Sequence, residues 1–544
     1  MKSSSTRGRL IAFEGVDGAG KSTVIHAVAE HLRAKGVSVF MPRMGKEHDS
    51  QPARLIRRMT RDPSNYMLSP RAELSLYCAR EAQVLDELVK PALARGETVL
   101  IDRSLLTPVV LGCYGRGIDR DDGEAMARAA SGGIEPDQTL VFDVHPRTSR
   151  IRKRIERVRN HSFEPGGRKG LMGSALKERV RAGYLALSRE RGYPVFHVER
   201  ISPQALSERV VSVIDHGRSA LQQDASDAQP VWMVDPRMTF SDALERLPPS
   251  VALFMANGLR AGRALRARLL EQETALSAWS MDVDDPLRER ALTLDPVYAL
   301  SGLSRKPLEA DDIRLRHIDR APIAALLSLR HVAGGEADAA RLAWAEREPS
   351  AVIESLAGRE DKFAVELRAR LWKAAELRSR ALSLLGCSGE DATSRREQIF
   401  SRDPVLAAIT LRGVFLAQGD AWLRMLAPHA AKVVLRAITG RSDDAAYEMR
   451  EELFETGREV IDSLRSLHDE RAWKLREGSV ERWPSTVVDS MVGLADSPRL
   501  RRVRSQCIEA GAGDLHLLRR LCRLDEYAAL PAWARTAATL AEDE

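Results

Sequence analysis

The chain has 544 residues, 44% of them apolar and 29% charged, with a formal net charge of +6, and that length exceeds what one ordinary core organises, so two or more globular domains are expected. No run of eighteen residues is free of charge, which speaks against a transmembrane helix, and the polar start MKSSSTRGRL, followed by Glu14 and Asp17, does not form a signal-peptide core. A soluble cytoplasmic protein is the expectation; Cys78, Cys113, Cys387, Cys507 and Cys522 are widely spaced with no CxxC pair, so each reads as a small buried hydrophobe rather than part of a disulfide framework or zinc site.

The charge is uneven. Residues 1–220 carry 37 Lys and Arg against 26 Asp and Glu, a net of +11, and the remainder carries 46 against 51, a net of −5. The basic part therefore calls for an anionic ligand, either nucleotide phosphates or nucleic acid.

In chain order, LIAFEG, VSVFMPR, TVLIDRS and TLVFDV read as buried parallel strands. Helical patterns lie between them, among them STVIHAVAEHLRAKG and AELSLYCAREAQVLDELVKPALARG, the second closed by Gly96 as a helix C-cap. The alternation implies a doubly wound α/β fold with ligands at the carboxyl ends of the strands. Between the first strand and first helix, Gly15, Val16, Asp17, Gly18, Ala19, Gly20, Lys21 and Ser22 fit GxxxxGK[ST], with Thr23 next. Glycines let backbone N–H groups turn around phosphates and the helix N-terminus adds its dipole. Lys21 then spans the β and γ oxygens, and Ser22 can ligate Mg²⁺. This is a P-loop for a nucleoside triphosphate.

From about residue 216 the pattern changes: HGRSALQQDASDAQP reads as a linker, and strands give way to helical spacing of Leu, Ala and Arg. Arg260, Arg314, Arg341, Arg368, Arg395 and Arg476 stand at multiples of 27 residues, as do Ser301, Ser328, Ser355, Ser463 and Ser490. Two short helices fit in 27 residues, and hairpins that cannot bury their apolar faces alone stack into an α-solenoid of about ten units. The simple reading of the periodic residues makes Ser a packing residue and Arg a partner for carboxylates of the turns. The sharper one is an Arg ladder lining a concave groove for an acidic partner. The expected organisation is a P-loop domain over 1–215, a linker and start of the helical region over 216–244, the solenoid over 245–520 and a cap or tail over 521–544.

FEGVDGAGKST, PRAELSLYCAREAQ from Pro70, ALARGETVLIDR from Ala92, GRG at Gly115–Gly117 and KERVRAGYLALSRERG from Lys177 follow one another over residues 13–192. Together they resemble the thymidylate kinase family; the second half is similar to HEAT-like repeats with a shorter period. The first resemblance implies ATP as donor, Mg²⁺, and a nucleoside monophosphate acceptor, dTMP in the first instance and another (deoxy)nucleoside monophosphate as the alternative. It implies that Asp17 lies near the acceptor sugar, that Arg103 holds the acceptor phosphate with help from Arg43, and that Asp102 with Ser22 supports the metal. The Pro-Gly-Gly turn that follows this Arg in the family is replaced here by MGKEHDSQP.

The basic stretch Arg147, Arg150, Arg152, Lys153, Arg154, Arg157 and Arg159 corresponds to a lid. Arg152 and Arg157 align best as catalytic cations beside Lys21, because Gly18 stands where one branch of the family places Arg. Base recognition departs from the family. Tyr77 replaces a stacking Phe, Glu81 replaces a base-reading Arg with Arg80 about 100° away round the helix, and Leu111 replaces a Tyr that excludes ribonucleotides. Phosphate-handling groups are kept and base-reading groups altered, which points to an active kinase with changed or relaxed acceptor choice. The family also implies a homodimer. A second reading is a nucleotide-sensing regulatory protein whose solenoid binds a macromolecular partner. Nucleic acid as ligand rests only on pI and the lid arginines and is the weakest reading.

Overall fold

The computed structural model describes residues 7–217 and 232–524 apart from 46, 163–166, 200, 236, 237, 305, 310, 311 and 417, so most of the expected linker and tail lie outside the described residues. Two units emerge, Met1–Lys153 with Gly166–Val231, and Arg154–Pro165 with Trp232–Glu544.

In the first unit, β1 (Leu10–Gly15) is buried at every position because it is the central strand of a sheet covered on both faces. Its neighbours are β2 (Val39–Phe40), β3 (Thr98–Asp102), β4 (Gln138–Asp143) and β5 (Val195–His197), in the order β2-β3-β1-β4-β5 and all parallel. The strand period of two sorts the side chains. Ile11 and Phe13 pack with Val24, Val28, Val210 and Val213, whereas Leu10 and Ala12 pack with Val84, Leu85 and Val89. Of VSVFMPR only Val39 and Phe40 pair, since this edge strand has β3 alone as partner. The three-residue β5 was not read from the sequence, being too short to show a period.

The long helix predicted after residue 70 is Pro70–Val84, capped by Ser69, whose hydroxyl accepts from the Ala72 N–H. A π-type turn, Leu85–Val89, leads into Lys90–Ala94, which absorbs the missing N–H of Pro91. Gly96 closes it with φ 79°, as the C-cap reading expects. The order of the strands reverses beside β1, and the crevice lies there.

The second unit is helical throughout its named elements apart from an isolated bridge between Met233 and Asp514. One helix of each hairpin packs on its equivalent in the next: Pro249–Met255 on Thr274–Ser280, then Pro296–Ser301, Pro322–Ser328, Pro349–Glu354, Leu377–Leu382 and Pro404–Ile409. Gly419–Ala437 continues the series with a kink at Ala430, two residues after Pro428, followed by Glu459–Asp462, Pro484–Ser490 and Leu515–Leu524. The last of these packs on Phe240–Glu245, at the head of the array. The Leu515 N–H donates to the Trp232 carbonyl at 2.8 Å and the Val234 N–H to that of Gly513 at 2.9 Å. The repeats therefore form a closed series rather than an open solenoid with a free cap. Among the described residues no helix is long and apolar enough to cross a membrane. Cys78, Cys387 and Cys507 are buried free thiols, while Cys113 is only half-buried.

The 27-residue period has a physical origin in buried guanidinium groups. Arg266, Arg314, Arg341, Arg368, Arg396, Arg450 and Arg476 are all at most 1% exposed, which rules out a groove-lining ladder built on them. Arg476 donates from Nη2 to the carbonyl of Leu464 at 2.8 Å and from Nε to Ser490 Oγ at 3.0 Å. Arg450 does the same with Ile438 and Ser463, and Arg341 with Leu329 and Ser355. Arg396 uses Leu384 and Thr410. Each Arg thus satisfies carbonyls left open where one helix ends and ties them to the hydroxyl of the next repeat. Arg266, Arg314 and Arg341 also meet carboxylates, but Arg368, Arg396, Arg450 and Arg476 are held by carbonyls, hydroxyls and ring or sulfur contacts. Two periodic positions differ from expectation: Arg260 is exposed, and at 395/396 the buried residue is Arg396 while Arg395 pairs with Asp391.

Burial pushes the guanidinium of Arg450 down to about 10, the sign of a charge kept without a carboxylate. Replacing Arg450 with Ala is expected to cost about 3 kcal/mol by orphaning buried carbonyls, whereas Arg316→Ala, which removes an exposed pair with Glu289, costs less than about 1 kcal/mol. Denaturant midpoints of the two variants check the contrast.

Candidate active site

Parallel pairing sets Phe13 opposite Asp102, so the loop after β1 and the end of β3 emerge side by side. Gly15 has φ 123°, and a Cβ there would stand 2.2 Å from the Phe142 carbonyl oxygen of β4, which reserves the position for glycine. The loop leads through Gly20, in the left-handed region, into the helix Lys21–Ala34. Lys21 Nζ donates to the Gly15 and Val16 carbonyls at 3.1 and 3.0 Å. Burial, aided by Arg103, lowers this amine to about 8 despite Asp102, Asp17 and Glu14 nearby. Bound phosphate would reverse that shift.

The turn after β3 hangs on a carboxylate that sequence reading passed over. Glu14 is fully buried; its Oε1 accepts from the Ser104 and Thr107 N–H groups at 2.8 and 3.3 Å, and its Oε2 from Thr107 Oγ1 at 2.6 Å and the Tyr184 hydroxyl at 3.2 Å. Burial raises its pKa, with Arg103 opposing. Held by this turn, Arg103 adopts φ 77°, a strained left-handed conformation for a residue with a side chain. Its Nη1 donates to Tyr184 at 2.9 Å and its Nη2 to Asp17 Oδ1 at 2.5 Å.

Asp17 also accepts from Lys153 Nζ at 2.7 Å. Burial alone would raise its pKa, yet Arg103, Lys153, Lys21 and Lys169 hold it well below the usual carboxylate range. Asp102 Oδ2 accepts from Ser22 Oγ at 3.2 Å, and Asp102 Oδ1 is buried with no hydrogen-bond partner among the described residues. Among the described residues no group of three or more His, Cys, Asp or Glu is placed to hold a metal ion. Ser22 with the free oxygen of Asp102 nevertheless fits Mg²⁺, which keeps water and substrate phosphate as most of its ligands.

The structure brings Asp17, Lys21, Asp102 and Arg103 together and redistributes the rest. Arg152 donates to the Gly18 carbonyl at 3.3 Å and to that of Val198 at 2.7 Å, clamping the P-loop to the segment after β5. Arg157 is exposed, and the lid cation that reaches the P-loop carboxylate is Lys153. Arg43 is 67% exposed and bound to Asp49. Arg57, on the helix Gln51–Arg61, is the cation of that region that senses Asp17, and burial with Arg61 and Arg80 brings it down to about 10. Thr23 is exposed and lines a groove with Ala27, His31, Pro203 and Ser207.

Tyr77 is 4% exposed, and its hydroxyl donates to Glu73, itself bound by Arg116 and Arg168. Arg80 does not turn away from Glu81: the two form an ion pair, with the guanidinium 5.7 Å from the Tyr77 ring centroid. Leu111 packs with the cluster of Val110, Leu176 and Leu187. Of the residues missed, Tyr184 lies within KERVRAGYLALSRERG and Glu14 within FEGVDGAGKST, so both segments carried the signal. Glu73 lies within PRAELSLYCAREAQ, whereas Lys169 and Arg168 carried no such signal.

The family model of thymidylate kinases matches residues 13–199, which include the P-loop, the end of β3, Lys153, Lys169 and Tyr184. Thymidylate kinase of Desulfovibrio desulfuricans is 36% identical over 185 residues, which is 33% of this chain and 82% of that protein. The chain belongs to the thymidylate kinase family. Thymidylate kinase of Desulfosudis oleivorans is 32% identical over 206 residues, 38% of this chain and 95% of that protein. The resemblance read from the motifs is thus borne out, and the thymidylate kinase match is carried by the first unit.

At the carboxyl end of β4, Asp143 takes two hydrogen bonds from Arg181 at 2.6 and 2.7 Å and pairs with His197 at 3.1 Å. Against the effect of burial, these partners hold its carboxyl at about 2. A depressed carboxylate stabilises above its unfolded pKa, and that contribution is lost as pH falls through the folded one. The stability difference between the natural protein and Asp143→Asn should therefore shrink by about 2 kcal/mol from pH 5 to pH 2, measured by urea unfolding.

Proposed function

We propose that the first unit transfers the γ-phosphoryl group of ATP to a nucleoside monophosphate, with dTMP as the acceptor, giving dTDP and ADP. The observation that carries this reading is the convergence of Lys21, Arg103 and Lys153 on Asp17, beside the Ser22–Asp102 pair. Phosphoryl transfer needs little covalent help from a protein. Its rate comes from holding the two phosphates in line and meeting the charge of the transition state. The P-loop amides and Lys21 hold the donor; Arg103, pinned by Tyr184 and Thr107, faces the acceptor phosphate; Lys153 supplies the lid cation. Mg²⁺ on Ser22 and Asp102 would neutralise charge on the donor oxygens. Another (deoxy)nucleoside monophosphate is the alternative acceptor, because the base-reading positions differ from the family pattern.

The second unit then serves partner binding or regulation in a cytoplasmic, homodimeric enzyme, a reading supported by its size and by the exposed Phe415, Met425 and Val492 on it. The alternative is a nucleotide sensor without turnover. An ADP-release assay across the ribo- and deoxynucleoside monophosphates separates the two. Turnover is expected with dTMP, and Lys21→Ala should reduce it on the order of 10²–10³-fold. Nucleotide binding without turnover of any acceptor would leave the sensor.

A further inference from the structure

One cation of the first unit has no task in the scheme above. Lys169 lies in the short turn Arg168–Met172, which follows Gly167 as its N-cap. Its Nζ stands 4.9 Å from the centroid of the Tyr77 ring, the ring on which the base of the acceptor was expected to stack. Arg80 occupies a second position on the same ring. With Tyr77 buried and its hydroxyl committed to Glu73, the ring holds cations rather than offering a free stacking face.

The groups facing Lys169 are Asp17 from the P-loop, Arg103 from the end of β3, Glu73 from the helix Pro70–Val84 and Arg61 from the helix Gln51–Arg61. Both carboxylates are already engaged: Asp17 by Arg103 and Lys153, Glu73 by Arg116, Arg168 and Tyr77. The neighbouring Arg168 anchors the turn through its pair with Glu73, so the position of Lys169 is set by a buried contact. An ammonium held over the Tyr77 ring and facing Asp17 and Arg103, with no carboxylate of its own among the described residues, is arranged for an anion that arrives from solution.

Resting on the kinase reading above, we propose that Lys169 grips the phosphate of the acceptor, so that this chain holds a nucleoside monophosphate by added charge where its relatives' pattern implies stacking of the base. Burial, together with Arg103 and Arg61, lowers the amine to about 7 against the opposing pull of Asp17 and Glu73. The protonated form binds the acceptor dianion, so kcat/KM for the acceptor should fall as pH rises past about 7.

The test is steady-state kinetics with dTMP at saturating ATP, whose phosphates raise the Lys21 amine out of the range, for the full chain, Lys169→Met and Lys169→Arg, between pH 6 and 9. Lys169→Met is expected to raise KM for the acceptor at least about tenfold, the scale of one charge-assisted hydrogen bond, with kcat nearly unchanged. Lys169→Arg should restore KM and remove the alkaline fall, since a guanidinium does not titrate in that range. An active enzyme in which Lys169→Met keeps its KM, or in which Lys169→Arg keeps the alkaline fall, overturns the proposal and leaves the kinase reading standing. A natural protein that turns over no nucleoside monophosphate overturns both. If Lys169→Met fails to fold, the comparison of pH profiles between the natural protein and Lys169→Arg decides.

Discussion

The arrangement of the active site depends on one buried carboxylate. Glu14, next to last in β1, gathers hydrogen bonds from Ser104, Thr107 and Tyr184, three residues on two other segments of the chain. A buried carboxylate with open oxygens would be costly, so the turn after β3 folds onto it and the helix Ala175–Arg191 presents Tyr184 to it. That closure forces Arg103 into the left-handed region and aims its guanidinium at Asp17. Remove the Glu14 oxygens and Arg103 loses the frame that strains it.

The two units treat positive charge in opposite ways. In the first, Lys21, Lys153, Arg57 and Lys169 surround a single loop carboxylate and leave charge to be matched by phosphate. In the second, cations are absorbed by the fold itself. The guanidinium groups of Arg450 and Arg476 are taken up by carbonyls and serine hydroxyls, while exposed pairs such as Arg471 with Asp444 and Arg482 with Glu455 each join residues 27 apart on the outside. The same residue type is a ligand site in one place and a stitch between repeats in the other. Solvent access decides which.

Much of this was legible in the chain. The P-loop stood out because its geometry needs Gly at fixed places and Lys-Ser at the helix start, and the strands because burial on both faces demands unbroken apolar runs. The 27-residue period was visible because several repeats place an Arg against equivalent helix-end carbonyls and a Ser of the next helix. Roles that depend on side-chain direction were not visible. The family pattern points to Arg152 and Arg157 as the lid cations, yet the pair with Asp17 is made by Lys153; helix geometry turns Arg80 about 100° from position 81, yet its flexible side chain curls back to Glu81. Nor could the chain show that Tyr77 is covered by Lys169, since 92 residues separate them.

By itself, then, the sequence determined the class of fold, the phosphate loop, the family and the repeat, because each rests on local periodicity or on backbone conformations that few residues can adopt. The tertiary structure alone decided which cations meet Asp17, what occupies the Tyr77 ring, and that the helical array closes from Leu515 back to Trp232. Those are contacts between distant segments, and their choice depends on which buried polar groups find partners once the chain has folded.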